Sequence, residues 1–364
     1  MIQSDLTYLD LFSGIGGFRK AIELYCEDNN LNAKCVGFSE IDRYATLTYK
    51  ANFETSNEVE MGDIENFTSD TNNIKSLPDF DLLCAGFPCQ SFSMMGEKKG
   101  FEDERGNLFY NIIKILLVKQ PKYILLENVR NIKTHDNGDT YKEIIRSIED
   151  DAGYHVTSDV FNTSDFGLPQ TRRRMFFFAV RKDKKNQSVE LDSKIAKEML
   201  EGVIESTSLK QYKTVLDNLL EKKVDEKFYL SEKMKRTILS NGSKGFKSKS
   251  EINQLIARPL TATMVKMHRA CQDNYYSDEF LQHSNPFEYA KAEIPKEIQE
   301  THRIRRLTPI EALKLQGFDE NFYQNCVQSK LSNHQIYKQS GNAVSVNTVY
   351  SILIFLFAKK MISL

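Results

Sequence analysis

In the first half of the chain, short apolar runs closed by a glycine, an acid or a proline alternate with stretches of helical spacing. Thr7 to Phe12, Lys34 to Ser39, a short piece closing at Gly62-Asp63-Ile64, Asp81 to Ala85 and Tyr123 to Leu126 read as strands. Their near-continuous apolar character is that of parallel strands covered on both faces. Between them Phe18 to Tyr25 and Leu108 to Val118 carry helical periodicity, the second stopped by Pro121. Tyr154 to Phe161 and Met175 to Val180 predict two further strands, joined as a hairpin. The pattern changes at the polar, lysine-rich stretch 182–187, where a domain boundary is expected, and from there to about Thr301 regular strand-helix alternation is missing. It resumes at Leu307-Thr308-Pro309, with Pro309 suited to the first turn of a helix, and ends in a helix with a broad apolar face from Val346 to Lys360. The pattern predicts an α/β domain with a mostly parallel sheet, beside a smaller irregular one.

Composition narrows the class. At 364 residues the chain exceeds the usual single domain, and 40% hydrophobic with 27% charged residues is an ordinary globular balance. Asp5 and Asp10 stand where a secretory leader would need a cationic start, and the longest apolar run, Ile352 to Ala358, is too short to span a bilayer. A cytoplasmic protein without membrane partners is expected. Six cysteines with no CxxC pair argue for free thiols and against a metal site. A net charge of -1 gives no global attraction to nucleic acid, so any such contact has to come from local patches.

Candidate chemistry collects at the predicted strand ends. Cys89 lies in Gly86-Phe87-Pro88-Cys89-Gln90, beyond the carboxyl end of a buried strand, where open α/β sheets place their ligands. Pro88 fixes its own φ and pushes Phe87 toward an extended conformation, a stiff approach that aims a thiol; Cys84, inside the apolar run, reads as structural. Ser13-Gly14-Ile15-Gly16-Gly17 forms a strand-turn-helix junction, but Arg19 stands where a dinucleotide fingerprint has its third glycine, which disfavours a NAD-linked oxidoreductase. Glu40 and Asp63 close the next two strands, positions suited to ribose hydroxyls and an adenine amino group, although either acid alone is more often a helix cap. Glu127 closes the strand after the cysteine strand. In Gln170-Thr171-Arg172-Arg173-Arg174 an extended backbone would put Arg172 and Arg174 on one face and Arg173 on the other.

Taken together, Asp10-Leu11-Phe12-Ser13-Gly14-Ile15-Gly16-Gly17, Gly86 to Ser93, Glu127-Asn128-Val129, Gln170 to Arg174 and Gly341-Asn342-Ala343-Val344 resemble, in order, the motifs of the DNA cytosine-5 methyltransferases. The resemblance covers residues 7–180 and 302–360 and leaves the middle unmatched. It implies a Rossmann-like S-adenosylmethionine-dependent methyltransferase domain built from residues 1–184 and a return segment, 302–364, with a target-recognition domain at 185–301. It also implies Cys89 as nucleophile, Glu127 at the cytosine N3 edge, and Arg174 with Arg172 holding the cytosine and the catalytic loop. Phe12, Gly14, Gly16, Glu40, Asp63, Leu108 and Asn342 match cofactor contacts, with Ile41 and Ile64 beside the two acids. Many relatives carry tryptophan where this chain has Ile41, so adenine stacking there becomes an aliphatic contact. No metal is implied.

Such an enzyme acts on a base turned out of the duplex. The segment after Cys89, with Ser91, Ser93, Lys98 and Lys99, is expected to close over the nucleotide and touch phosphates. In the unmatched middle, Lys233 to Ser250 is basic and free of acids; Lys244, Lys247 and Lys249, then Arg258 and Arg269, are the expected DNA contacts, a solvated loop being the bland alternative. The reading is a sequence-specific enzyme, monomeric on DNA and paired with a cognate restriction endonuclease. Its rivals are a tRNA methyltransferase of the same fold, disfavoured by Phe87-Pro88-Cys89 in place of a Pro-Pro-Cys core, and a catalytically silent DNA-binding regulator, disfavoured by intact Cys89 and Glu127.

Overall fold

In the computed structural model, residues 5–88, 108–183, 190–243 and 246–364 are described. The chain opens with β1 (Asp5–Leu11), α1 (Gly17–Asp28), β2 (Asn32–Ser39), α2 (Arg43–Asn52), β3 (Val59–Glu60), α3 (Ile64–Thr68), α4 (Thr71–Ser76) and β4 (Leu82–Gly86). There follow α5 (Leu108–Lys119), β5 (Tyr123–Val129), α6 (Asp139–Arg146), β6 (Tyr154–Asn162), β7 (Arg173–Arg181) and α7 (Ser193–Val203). Shorter pieces come next: α8 (Glu232–Leu239), β8 (Gly242–Ser243), β9 (Phe246–Lys247), β10 (Tyr275–Ser277), α9 (Asp278–Leu281), α10 (Pro286–Lys291), α11 (Lys296–Thr301) and β11 (Ile304–Arg306). The chain closes with α12 (Pro309–Lys314), α13 (Glu320–Gln328), α14 (Asn333–Asn342) and α15 (Val346–Ala358).

Contacts group the chain into two units. The first holds residues 1–162, 173–209 and 344–364; the second holds 163–172 and 210–343. The core of the first unit is a seven-stranded sheet ordered β3-β2-β1-β4-β5-β7-β6, in which β7 runs against the direction of the other six strands. The predicted parallel strands and the hairpin are therefore present. One face of the sheet, with Leu9, Leu11, Leu83, Ala85, Ile124 and Leu126, is buried against residues of α3 to α6. On the helical side, α15 packs on both α1 and α7, with α1 against β2 and α7 against β6. Chain order reverses between β1 and β4, and at such a switch point the carboxyl ends of the strands leave a crevice for ligands.

The composition break at 182–187 is not where the packing divides. The amphipathic helix α7 lies beyond it, and Ser208 of the following segment bonds to Asp28 of α1, so the first unit continues to Leu209. Conversely, residues 302–343 group with the second unit, and the return begins only at Val344. Both shifts share a cause: linker composition marks exposed polar chain, whereas membership of a unit is decided by which apolar face is buried. Leu307, Ala312, Leu315 and Tyr337 are buried with Val215, Leu219, Tyr276 and Phe280, which explains why the segment holding α12 to α14 belongs there. By length and apolarity the stretch 333–358 could cross a membrane. It is two helices, however, broken where Ala343 turns extended, and mostly buried.

Inside the second unit the Arg305 guanidinium meets the Glu311 carboxylate with both side chains buried, Nη2 to Oε1 at 2.8 Å and Nη1 to Oε2 at 2.9 Å. Glu311 also closes the capping box of α12, accepting from the Thr308 N–H while Thr308 Oγ1 accepts from the Glu311 N–H. Removing one partner of a buried pair leaves an uncompensated charge and costs about 3–5 kcal/mol. Glu311→Ala should lower the unfolding free energy in urea by that amount, and the Arg305→Met/Glu311→Leu double variant should lose much less. Equal losses in the two proteins would show that burial of the charge is not the origin.

Candidate functional site

The turn after β1 is built from left-handed positions: Phe12 at φ 52, Gly14 at φ 56 and Gly16 at φ 85. At Gly16 a side chain is excluded twice, by φ and because a Cβ would lie 2.3 Å from the Phe53 ring. At Gly14 only the backbone demands glycine, since nothing lies within 4 Å of a Cβ there and the turn faces open space. The turn is tied to the end of β2 by Ser13 N–H donating to Ser39 O at 2.9 Å and Gly14 N–H donating to Glu40 Oε2 at 2.8 Å. Glu40 Oε1 accepts from the Asp42 N–H at 2.7 Å. Burial pushes the Glu40 carboxyl above its ordinary range, and those backbone N–H groups pull it back toward ionisation.

Around this turn the expected cofactor residues sort as follows. Ile41 is 77% exposed at the same edge, an apolar surface left uncovered by the protein. The third strand ends at Glu60, earlier than the expected close at Gly62-Asp63-Ile64, and Asp63 caps α3 instead, accepting from the Glu65 N–H at 2.9 Å and Asn66 Nδ2 at 3.1 Å, so the capping alternative holds for its bonds. Ile64 is buried. Phe12 and Leu108 are half-buried against the core, Leu108 as the first residue of α5. Asn342 is exposed at the end of α14 in the second unit. An open left-handed turn, an acid held at the next strand end and an exposed aliphatic surface fit an adenosine-type group.

Beneath the turn lies a network that sequence reading missed. Asp10 of β1 is fully buried and accepts from Tyr49 Oη at 3.2 Å; Arg19 lies over the Tyr49 and Phe53 rings and pairs with Glu58 at 2.8 Å. An acid inside an apolar strand was the available signal. Burial pushes the Asp10 carboxyl up to about 7, against the pull of Arg19 and the Tyr49 hydrogen bond. In the unfolded chain it titrates near ~3.9. Between these values the folded protein holds the extra proton, so this group's contribution is present at low pH and lost as pH rises through about 7. Asp10→Asn removes that dependence. The variant's stability relative to the wild type should rise by about 2 kcal/mol from pH 5 to pH 8 in urea titrations; a gap independent of pH would rule Asp10 out as the titrating group.

At the middle of the sheet edge, Glu127 pairs in register with Gly86 of β4 and Phe176 of β7. It is 8% exposed, and its Oε1 receives Arg174 Nε at 2.9 Å. Arg174 Nη1 donates to Arg173 O at 3.0 Å. A Cβ on Gly86 would lie 3.3 Å from Val344 Cγ2 and at ordinary contact distance, 3.5 Å, from Glu127 Oε2, so the end of β4 runs directly beside the carboxylate. Asn128 Nδ2 donates to Phe87 O at 2.9 Å, and the Phe87 ring packs on Phe109 with centroids 5.4 Å apart. Phe87, two residues before Cys89, is thus fastened to the strand that carries Glu127. Cys89 itself, with Ser91, Ser93, Lys98 and Lys99, lies outside the described residues.

Among the described residues, hydrogen bonds from Arg172 and Arg174 run to different partners. Arg172 is buried in the second unit, where Nη1 donates to Leu260 O at 3.0 Å and Nη2 to Gly341 O at 3.1 Å and Ala343 O at 3.0 Å. Gln170 joins it, Nε2 donating to Leu315 O and Oε1 accepting from the Leu260 N–H, both at 2.8 Å. Gly341 permits this closeness, because a Cβ would sit 2.2 Å from the Thr261 backbone. Of the expected DNA contacts, Lys244 lies outside the described residues and Lys247 belongs to β9. Lys249 is exposed and pairs with Glu251 at 2.7 Å. Arg258 is drawn inward, Nε donating to Ala270 O at 3.0 Å, and Arg269 Nε donates to Ser240 Oγ at 3.0 Å. Among the described residues no group of three or more His, Cys, Asp or Glu could hold a metal ion.

Residues 6–357 match the family model described as C-5 cytosine-specific DNA methylase. The Type II methyltransferase M1.ScrFI of Lactococcus lactis subsp. cremoris is 36% identical over 356 residues, 94% of this chain and 76% of its own. M.DsaV of Dactylococcopsis salina is 34% identical over 100% of this chain and 88% of its own. M.HpaII of Haemophilus parainfluenzae is 33% identical over 96% of this chain and 88% of its own. In fold, the S. pombe Dnmt2 methyltransferase superposes with a TM-score of 0.70 at 20% identity, covering 97% of this chain and 98% of that one.

Proposed function

The chain belongs to the C-5 cytosine-specific DNA methylases, and from that premise we propose that it modifies a cytosine turned out of a specific duplex sequence through a transient bond to Cys89. The enzyme transfers a methyl group from S-adenosylmethionine to carbon 5 of cytosine in DNA. The observation that carries the finer reading is the Glu127–Arg174 pair, one strand from the Phe87-Pro88 approach to Cys89 that Asn128 anchors.

Carbon 5 of cytosine is a poor nucleophile until the ring is activated. Addition of the Cys89 thiolate to carbon 6 pushes an electron pair toward carbon 5 and charge toward N3 and the carbonyl oxygen. Glu127 at N3 accommodates that charge by hydrogen bonding or proton donation, and Arg174 both orients the carboxyl and offers its remaining N–H groups to the carbonyl oxygen. Once carbon 5 has taken the methyl group, loss of its proton to a base returns the electron pair to the ring and expels the thiolate. Glu40, the Gly14 turn, Ile41 and Asp63 would hold the cofactor, which when bound supplies an electrophilic methyl group. Arg172, by its bonds, acts in this reading through the segment at Leu260 and the turn at Gly341 to Ala343, more than by touching the base.

The second unit is proposed as the target-recognition part. Likeness to Type II methyltransferases supports a role as the modification partner of a cognate endonuclease, with the enzyme acting as a monomer on duplex DNA. Bisulfite sequencing of DNA exposed to the protein tests the reading: protected cytosines should share one short duplex context. Random protection would remove the sequence-specific part, and tritiated methyl appearing in tRNA but not in DNA would overturn the substrate.

A further inference from the structure

On the edge of the first unit away from the strand carboxyl ends, three helices finish together. Because α1 runs back from the glycine turn, its last residue, Asp28, comes just before Asn32 opens β2. The ends of α1, α7 and α15 line one cleft of about 410 Å³, through Asp28, Val203 with Ser206, and Phe357. Each helix terminus of this polarity carries about half a negative charge. The last carbonyls are already capped, Tyr25 O by the Asn29 N–H and Phe355 O by the Lys359 N–H, so the cleft offers negative potential and not open backbone acceptors.

Asp28 adds a formal charge to that field. Its Oδ1 accepts from Ser208 Oγ, and its Oδ2 accepts from the Ser208 N–H at 2.8 Å and Tyr350 Oη at 2.6 Å. Partial burial works to raise this carboxyl, but the hydrogen bonds from Ser208 and Tyr350 bring it below its ordinary range and keep it ionised. Ser206 Oγ donates to Val203 O, so its proton is committed and the oxygen remains able to accept. The walls are aromatic: Tyr25 stacks on Phe357 at 4.9 Å and meets Tyr350 edge-on at 5.6 Å. Among the described residues, no Lys, Arg or His lines the cleft.

An anion is repelled by Asp28 and the helix ends, and a neutral apolar molecule leaves that charge unused. An ammonium group on an aliphatic stem satisfies both parts, its charge held by Asp28, the helix ends and the ring faces, its methylenes against Val203 and Phe357. We infer that this cleft is a binding site for a small aliphatic polycation, a diamine or linear polyamine, separate from the cofactor and the base.

Isothermal titration of the full chain in the absence of DNA tests this, with spermidine and 1,6-diaminohexane as probes and 1,6-hexanediol as the uncharged control. Saturable one-to-one binding of the amines is expected, with none of the diol. Ser206→Lys plants a tethered ammonium at the rim, on an exposed residue, and should weaken spermidine binding at least about tenfold while leaving methyl transfer unchanged. Asp28→Asn should weaken it comparably. Diol binding as tight as the diamine's, or spermidine binding by Ser206→Lys at wild-type strength, overturns the inference; should Asp28→Asn fail to fold, the Ser206 variant decides alone.

Discussion

Cys89→Ala is expected to leave methyl transfer to duplex DNA at background, a loss greater than about 10⁴-fold in turnover, while the same duplex is still bound. The size follows from the role. Without addition at carbon 6 there is no electron-rich carbon 5 to take the methyl group. Binding, in contrast, draws on phosphate and base contacts elsewhere, so gel-shift affinity should change only a few-fold. A second measurement isolates the covalent step. If carbon 5 carries fluorine in place of hydrogen, no proton can leave, and the thiolate cannot be expelled after methylation. Wild-type protein should then accumulate as a protein–DNA species stable on a denaturing gel, and the alanine variant should not. Undiminished methyl transfer by Cys89→Ala would refute the assignment outright.

The parts of this site that could be read in advance share one property. β1, β4, β5 and β7 are short runs of apolar residues that the sheet buries on both faces, and each functional group borders its run at the same edge of the sheet, after the run on the parallel strands and before it on the antiparallel β7. Glu127 illustrates it: four apolar residues, then an acid, placed by the register against Gly86 at the carboxyl edge. What escaped reading depends on partners far along the chain. Arg172 has the same local signature as Arg174, an arginine at an extended position, but the carbonyls of Leu260, Gly341 and Ala343 hold it in the second unit. The basic look of Arg258 is equally misleading, since its guanidinium is occupied by Ala270 O and Glu251. The compact units are bounded elsewhere than the composition break for the same reason. α7 follows a lysine-rich linker, yet its buried Ala196 and Leu200 commit it to the first unit. Asp63 stands between these cases, its position legible and its bonds shared between a cap and any ligand.

Glu127→Ala should lower the rate of the methyl-transfer step by about 10²–10⁴-fold, with Glu127→Gln at the mild end of that range. The difference between the two variants carries the mechanism. Glutamine can still donate a hydrogen bond to N3 but cannot deliver a proton, so it preserves orientation and loses the acid. Alanine loses both, and also strands Arg174, whose Nε now meets Glu127 Oε1 at 2.9 Å. Arg174→Lys separates the contributions further, because a lysine ammonium cannot reproduce the planar fork that holds the carboxylate and still offers further N–H groups. Single-turnover rates with saturating duplex and cofactor report the chemical step directly. Cofactor binding measured in parallel should stay within a few-fold for all three variants, since Glu40 and the Gly14 turn lie on other strand ends. Should Glu127→Gln turn over within a few-fold of the wild type, proton donation at N3 is not the role of this carboxyl. Its service would then be confined to fixing Arg174, and Glu127→Ala and Arg174→Lys would show losses of similar size.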